Sequence, residues 1–203
     1  MRRMFLLRHA PTPATRSFAF PADESPDSRG LRAAAELRAP AHAEVICSPA
    51  ARCRATAAAA DLTVDSIEPA LAECDFGSWA GRRLGELVAE RPEETRRWMT
   101  DPDAAPHGGE SLREFSARVA SWLERQAGGD GSCLAITHGG VVKVAVVHAL
   151  GAPIEAFWKV DCAPLSRTEL HADGDGWRLT SVNVPAAAKT RSRPAPAATA
   201  VGG

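Results

Sequence analysis

Residues 133–150, CLAITHGGVVKVAVVHAL, decide the fold class of the chain. The segment from Cys133 to Thr137 is short and apolar, which is typical of a β-strand buried inside a sheet. His138 and two glycines then form a tight turn, and a helix is predicted from there to Leu150. A strand, a turn and a helix in succession form the repeating unit of α/β folds, so a mainly parallel sheet is predicted.

The N-terminal segment has the same character. Met4–Leu7 is a continuous apolar run that ends at Arg8 and His9, which predicts a first strand buried on both faces of the sheet. Prolines at positions 11, 13, 21 and 26 predict a loop after this strand. Asp27 or Ser28 can cap the helix that follows, which restores the alternation of strand and helix.

Two more strands are predicted before residue 70. Glu44–Cys47 is a brief apolar segment, and Ser48 and Pro49 after it suit the N-cap and first turn of an alanine-rich helix over about 50–60. Val64–Ile67 is the third predicted strand. The order strand, helix, strand again favours a parallel sheet.

From residue 82 to 126 the pattern is helical, interrupted by a segment rich in Pro, Gly and Asp over 101–109. Ser111 and Glu114 have the spacing of a capping box, which predicts the start of the second long helix. The predicted apolar face of the first helix consists of Leu84, Leu87 and Val88.

The C-terminal part predicts a closing hairpin and a tail. Thr168–His171 and Trp177–Val182 read as two strands around a Gly-rich turn. Residues 1–184 are therefore expected to form one domain. The Ala/Pro/Thr/Arg-rich segment 185–203 is expected to be disordered, because its composition cannot support a core.

Composition narrows the class of protein. The chain has 203 residues and is 45% hydrophobic and 24% charged, which suits one globular domain. A net charge of −1 predicts no general attraction to nucleic acid or to acidic membranes. Five cysteines without CxxC spacing indicate reduced thiols. Neither an export signal nor a membrane span is evident, so a cytoplasmic location is expected.

The chemically reactive residues fall near predicted strand ends. They are Arg8 and His9 at the end of the first strand, Arg52 in the first turn of the helix after the second strand, Glu73 after the third strand, and His138 at the end of the strand before the glycine turn. The carboxyl ends of parallel strands meet at one edge of a sheet, so these side chains are expected to converge. Their positive groups would repel one another unless they enclose an anion, and a phosphate dianion fits. Arg8, Arg52 and His138 are predicted to bind its oxygens.

Further features favour phosphoryl transfer. Gly139 and Gly140, at a helix start, would let backbone N–H groups approach an anion. Nearby arginines are expected to lower the pKa of His9 and keep it neutral, as a nucleophile at phosphorus must be. A carboxyl group is needed to protonate the leaving alkoxide. Glu73 is the first candidate for this role and Asp75 the alternative.

Five segments, in this order and spacing, resemble the histidine phosphatase superfamily, the phosphoglycerate mutase-like family. They are LRHA at 7–10, SPAAR at 48–52, ECDFGSWAG at 73–81, GGES at 108–111 and THGG at 137–140. Five ordered motifs are far more specific than any single one. The resemblance implies a three-layer α/β/α sandwich with a mostly parallel central sheet, a small helical cap insertion at about 74–132, and a phosphohistidine on His9.

Some positions depart from the family's pattern. Ala10 replaces the usual glycine, Pro11 stands where an acidic residue is common, and Thr15 stands where mutases usually carry asparagine. Thr15 is a candidate substrate-binding residue. The insertion between Glu73 and Cys133 is shorter than in a typical mutase, which favours a hydrolase. The resemblance is to the branch of α-ribazole phosphatases, which implies a small phosphorylated substrate.

Three alternatives stay open. One is an isomerase of the phosphoglycerate mutase type, and another is a non-catalytic phosphate-binding module, prompted by Ala10 and Pro11. The third is a metal site formed by His9, Glu73 and His138. The neighbouring arginines argue against a divalent ion, so no metal or other cofactor is predicted. The oligomeric state is left open, with a homodimer as one option.

Overall fold

A computed structural model describes residues 1–174 and 176–186 of the chain. Its six-stranded sheet has the order β3-β2-β4-β1-β5-β6. The first four strands in this order are parallel, and β5 and β6 are antiparallel to their neighbours. The predicted α/β fold with a mostly parallel sheet is confirmed. The strands are β1 (Arg2–Arg8), β2 (Glu44–Cys47), β3 (Ser66–Ile67), β4 (Gly131–Thr137), β5 (Ser166–Ala172) and β6 (Trp177–Pro185).

Helices cover both faces of this sheet. They are α1 (Pro13–Ser17), α2 (Ser28–Ala34), α3 (Ala51–Ala59), α4 (Leu84–Glu90), α5 (Pro92–Thr100), α6 (Leu112–Ala127) and α7 (Gly139–Ala149). Short 3-10 helices lie at Pro69–Leu71, Gly77–Trp79 and Ile154–Lys159. In the part of the chain that the structure describes, no helix is both long and apolar enough to cross a bilayer.

The alternation of side chains along β1 divides the core into two layers. Met4 and Leu6 pack in the cluster that contains the apolar residues of α6 and α7. Phe5 and Leu7 point the other way, into the cluster with α2 and α3. Successive side chains of a strand face opposite sides of a sheet, so a run that is apolar at every position is buried on both faces. The prediction of a doubly covered first strand is confirmed.

The register of the central strands sets the position of the residues that follow them. Arg8 on β1 lies opposite Thr137 on β4, and the His9 amide donates to the Thr137 carbonyl over 2.9 Å. On the other side of β4, the Ser48 amide donates to the carbonyl of Ile136 over 2.9 Å. Three strand ends from distant parts of the chain therefore meet at one edge of the sheet.

A third apolar cluster, called the cap cluster here, is separate from the two clusters of the core and includes residues of the segment predicted to form the cap. Phe20, Trp79 and Leu87 are its buried members, and Phe76 and Trp98 pack against them. The cap helices α4 and α5 lie here, and α6 begins at the predicted capping box. The Ser111 side chain accepts from the Glu114 amide, and the Glu114 carboxylate accepts from the Ser111 amide.

One predicted loop and one predicted helix start were wrong. The proline-rich loop contains α1, because Thr12 caps it by accepting from the Thr15 amide, and Pro13 suits a first turn, where its missing N–H is no loss. The N-cap residue of helix α3 is Ala50, which makes no side-chain capping hydrogen bond, and not Ser48. The hydroxyl of Ser48 is turned to a ring nitrogen of His138 instead.

Other differences concern boundaries. The third strand is limited to Ser66–Ile67 and leaves out Val64. On α4, Leu87 is fully buried but Val88 is 49% exposed, so the predicted apolar face is narrower than expected. Residues 187–203, most of the predicted tail, lie outside the described residues.

Candidate active site

His9 and His138 lie next to each other at the carboxyl edge of the sheet. Their ring centroids are 5.2 Å apart, and the ring planes make an angle of 64°. His9 is 5% exposed and His138 is fully buried. Because β1 and β4 are paired in register, the two histidines that follow them are brought together although 129 positions separate them in the sequence.

The environment of His9 leaves one ring nitrogen suited to attack. Its Nδ1 lies 2.8 Å from the carbonyl oxygen of Ala10, which accepts only, so Nδ1 carries the proton and Nε2 keeps a lone pair. Burial, helped by the charges of Arg52 and Arg8, lowers the pKa of His9 to about 3, although the hydrogen bond to Ala10 acts in the opposite direction. The imidazole is therefore neutral near pH 7. The expected arginine effect is present, but burial is the larger cause.

Both ring nitrogens of His138 are engaged by protein groups. Arg52 Nε donates to Nδ1 over 3.2 Å, and because a guanidinium cannot accept, the proton of a neutral ring must be on Nε2. Nε2 then donates to the Ser48 hydroxyl over 2.8 Å. Burial and the charge of Arg52 hold the pKa of His138 well below its usual value. In this arrangement His138 orients Arg52.

The two arginines enter the site from different elements. Arg52, in the first turn of α3, is 4% exposed, and its Nη1 lies 3.8 Å from the carboxylate of the exposed Asp23. Arg8, at the end of β1, donates through Nη1 to the carbonyl of Cys162. Its Nε is buried and has no hydrogen-bond partner among the described residues. Such a donor gains from an arriving anion.

These groups enclose a small cavity of about 70 Å³. The cationic side chains of Arg8 and Arg52 and the neutral ring of His9 form part of its wall, so the cavity favours an anion. Thr15, which the sequence suggested as a substrate contact, also lines it, with its hydroxyl 3.1 Å from that of Thr12. Its walls are formed by Arg8, His9, Thr12, Ala14, Thr15, Ala19, Pro21, Glu24, Arg52 and Glu73.

Glu73 lies at a junction. It lines the small cavity and also a larger one of about 270 Å³. Arg8 lines both cavities as well. Its Oε2 accepts from the Gly140 amide over 3.3 Å. The predicted anion-binding role of this glycine amide is thus taken by a carboxylate of the protein. A Cβ added to Gly140 would collide with Glu73 Oε1, so only glycine leaves the carboxylate its place. Gly139 packs beside Arg8.

Asp75, the alternative proton donor, is held in a local turn. Its Oδ1 accepts from the Gly77 amide over 2.8 Å, and the residue is exposed. Asp75 lines a third cavity, of about 320 Å³, together with Glu73 and Arg52. It does not line the two cavities that Glu73 shares with Arg8. The geometry therefore favours Glu73 over Asp75.

Two polar residues near the Glu73 loop, Glu110 and His107, bind or pack against protein groups. Glu110 pairs with Arg118 at 2.7 Å, and Arg118 also donates to the backbone carbonyl of Glu73 over 3.3 Å. His107 packs edge-on against the ring of Trp79 with centroids 5.2 Å apart. Both residues support the loop that carries Glu73.

The metal alternative has no matching geometry. Within residues 1–174 and 176–186, no group of three or more His, Cys, Asp or Glu side chains could hold a metal ion. His9, Glu73 and His138 therefore do not form the ligand set that was considered from the sequence.

Sequence reasoning missed three residues of the site. Ser48 bonds His138, and the buried thiol of Cys53 lies 3.5 Å from the same ring nitrogen. Burial raises the pKa of Cys53, which keeps it a thiol. Glu24 contributes a carboxylate to the small cavity. The position of Ser48 directly after the second strand was a usable signal, whereas Glu24 lies in a loop without a pattern.

Comparison with known proteins gives consistent matches. The sequence model of the histidine phosphatase superfamily (branch 1), which describes that family, matches residues 4–185 of this chain. An adenosylcobalamin/α-ribazole phosphatase of Escherichia coli is 31% identical over 161 residues, which cover 74% of this chain and 73% of that protein. A bifunctional protein of Mycobacterium tuberculosis is 31% identical over 85% of this chain, but the match spans only 51% of that protein.

The fold is also found among solved structures. The α-ribazole phosphatase of Shigella flexneri has a TM-score of 0.78 at 26% identity, covering 90% of this chain and 96% of that one. A mycobacterial glucosyl-3-phosphoglycerate phosphatase has a TM-score of 0.77 at 24% identity, covering 91% and 100% of the two chains. The latter likeness concerns the fold alone.

Proposed function

Because this chain belongs to branch 1 of the histidine phosphatase superfamily, we propose that it is a phosphomonoesterase that hydrolyses a small phosphorylated metabolite through a phosphohistidine on His9. Its relatives include an α-ribazole phosphatase and a phosphoserine phosphatase. The observation that carries the proposal is the neutral imidazole of His9, with Nδ1 tied to the Ala10 carbonyl, in a cavity shared with Arg8 and Arg52.

In the first step, Nε2 of His9 attacks the phosphorus of the ester. The N–P bond forms as the P–O bond to the alcohol breaks, and the negative charge on the equatorial oxygens is stabilised by Arg8 and Arg52. The presence of both arginines in the wall of the cavity that His9 lines supports this role. His138 contributes by holding Arg52. A direct bond from the His138 ring to phosphate would require Arg52 Nε to leave its Nδ1.

Glu73 moves the proton in both steps. As a carboxylic acid it protonates the leaving alkoxide, and as a carboxylate it then takes a proton from the water that attacks the phosphohistidine. The N–P bond breaks, inorganic phosphate leaves, and both His9 and Glu73 return to their starting states. The position of Glu73 between the two cavities supports this assignment.

The decisive experiment traps the intermediate. A ³²P-labelled substrate is mixed with the protein and quenched in alkali, in which phosphohistidine survives, and the labelled protein is tested for acid lability. We expect label on the wild type and none on His9→Ala, with hydrolysis unaffected by EDTA. Retained hydrolysis in His9→Ala would refute the mechanism. Binding of the substrate with neither covalent label nor release of phosphate would favour a non-catalytic binding module, which acid-labile label would exclude.

The mutase alternative is tested with phosphoglycerates. An isomerase would interconvert them in the presence of a bisphosphate primer, whereas the proposed hydrolase releases inorganic phosphate. The natural substrate is sought by measuring phosphate release from α-ribazole phosphate, phosphoserine and sugar phosphates, because the relatives named above point to the first two.

A further inference from the structure

The larger cavity of about 270 Å³ adjoins the phosphoryl site. Arg8 and Glu73 contribute to the walls of both cavities, so the larger cavity can receive the alcohol half of an ester whose phosphorus lies at His9. The inference below rests on the proposed function, since it concerns what this alcohol half is.

Aromatic side chains are concentrated at this cavity. The whole chain has five tryptophans, six phenylalanines and no tyrosine. Five of these eleven side chains line this one cavity, although they come from separate segments of the chain. They are Phe76, Trp98, Phe115, Phe157 and Trp158.

Trp98 and Trp158 form a supported wall. Trp98 packs against Phe20 and Trp79 of the cap cluster, with centroids 5.4 and 5.7 Å away. Trp158 meets Trp98 edge-on at 4.9 Å and Phe157 at 5.1 Å. Trp158 nevertheless stays 36% exposed, unlike the buried Trp79. Its indole therefore adds little to the core and remains accessible to a ligand.

The remaining lining has few side chains that could hydrogen-bond to a polyol besides those shared with the phosphoryl site. Apart from Arg8 and Glu73, the charged residues are Lys143 and Asp161. The ammonium of Lys143 lies 5.2 Å from the centroid of the Phe157 ring. A sugar needs several hydrogen-bonding partners when it is desolvated, whereas a flat ring needs mainly aromatic surface.

We propose that the alcohol half of the substrate carries a planar aromatic ring that packs against Trp98 and Trp158. The phosphoryl group is held at His9, and Trp158 is a residue that determines specificity.

Two matched esters test this proposal. 2-Phenylethyl phosphate and 2-cyclohexylethyl phosphate have similar size and similar leaving alcohols, and they differ in aromaticity. We expect kcat/KM to favour the phenyl ester by about three- to tenfold, the size of an aromatic pair interaction. Trp158→Leu should bring this ratio close to one, and Trp158→Phe should keep most of it. Phe18→Leu, which removes a ring that is 81% exposed outside the cavity, should leave the ratio unchanged.

A ratio near or below one in the wild type, or an unchanged ratio in Trp158→Leu, would overturn the proposal. Faster hydrolysis of phosphoserine or a sugar phosphate than of the phenyl ester would do the same. Binding of the two corresponding phosphonates, whose C–P bond is not hydrolysed, separates this inference from the proposed function. Tighter binding of the phenyl phosphonate would support the aromatic site even if no ester were hydrolysed. Equal binding together with normal phosphate release would refute the aromatic site alone.

Discussion

Replacing Gly140 by alanine should separate proton transfer from phosphoryl transfer. The new Cβ would overlap Glu73 Oε1 and lie 3.0 Å from Phe115 Cε1. Phe115 is 1% exposed and closely packed, so the carboxylate at the end of the flexible Glu73 side chain is the group that moves. Because Gly140 lies within α7, alanine itself is favoured there by up to about 1 kcal/mol, and the fold should persist.

The expected effect depends on the leaving group. General acid catalysis contributes on the order of 10²- to 10⁴-fold, so a displaced Glu73 should lower kcat/KM for an alkyl phosphate by about 10- to 100-fold. 4-Nitrophenyl phosphate has a leaving group that needs no proton, and its kcat/KM should fall by less than about threefold. Glu73→Gln should show the same selectivity.

Gly85→Ala is the matched control, because it also places alanine in a helix but its Cβ meets no atom within 4 Å. The assay is phosphate release from both esters, with the circular dichroism spectrum of each variant recorded. Equal losses on the two esters would mean that the phosphoryl site itself was damaged. If Gly140→Ala hydrolysed the alkyl ester at the wild-type rate, the argument that proton transfer depends on the position of Glu73 beside Gly140 would be refuted.

The remaining predictions concern pH and stability. Because burial keeps His9 and His138 neutral in the folded state, the unfolded chain takes up their protons below pH 6.5. The free energy of unfolding should therefore fall by about 2 kcal/mol per histidine between pH 7 and 5, and urea titrations of His9→Asn should show a smaller fall than the wild type. Ser48→Ala removes the partner of a buried ring N–H and should lower the free energy of unfolding by about 1–3 kcal/mol and reduce kcat; no change in either would argue against the assigned tautomer. Ser111→Ala should cost about 0.5–2 kcal/mol through loss of the α6 cap, measured by thermal unfolding, and Ser111→Thr should restore most of it.

Local sequence patterns predicted much of the fold. The apolar runs of β1 and β4 predicted strands buried on both faces, because alternate side chains of such a run meet a core on either side. The capping box at Ser111 and Glu114 located α6. Short elements were less predictable: α1 depends on one cap and β3 on two residues, so neither has a periodicity that could be read.

The residue types near the strand ends, and the regular geometry of parallel sheets, were enough to predict from the sequence that Arg8, His9, Arg52 and His138 converge. Their individual bonds were not predictable. Arg52 and His138 are 86 positions apart, and Ser48 and His138 are 90 apart, so no local pattern links them. Only the folded sheet sets these distances, and the distances determine the tautomer of His138.

The tertiary structure also decided between Glu73 and Asp75. It likewise formed the aromatic cavity. Two carboxylates two positions apart look alike in a sequence, but only Glu73 lines the two cavities that Arg8 shares, whereas Asp75 also closes a local turn. The five rings of the larger cavity are scattered along the chain and converge only when the cap packs on the sheet.

The sequence determined the fold class and the chemical groups, since these depend on residue type and short-range pattern. The tertiary structure decided which groups act together, because their interactions depend on distances that packing alone sets.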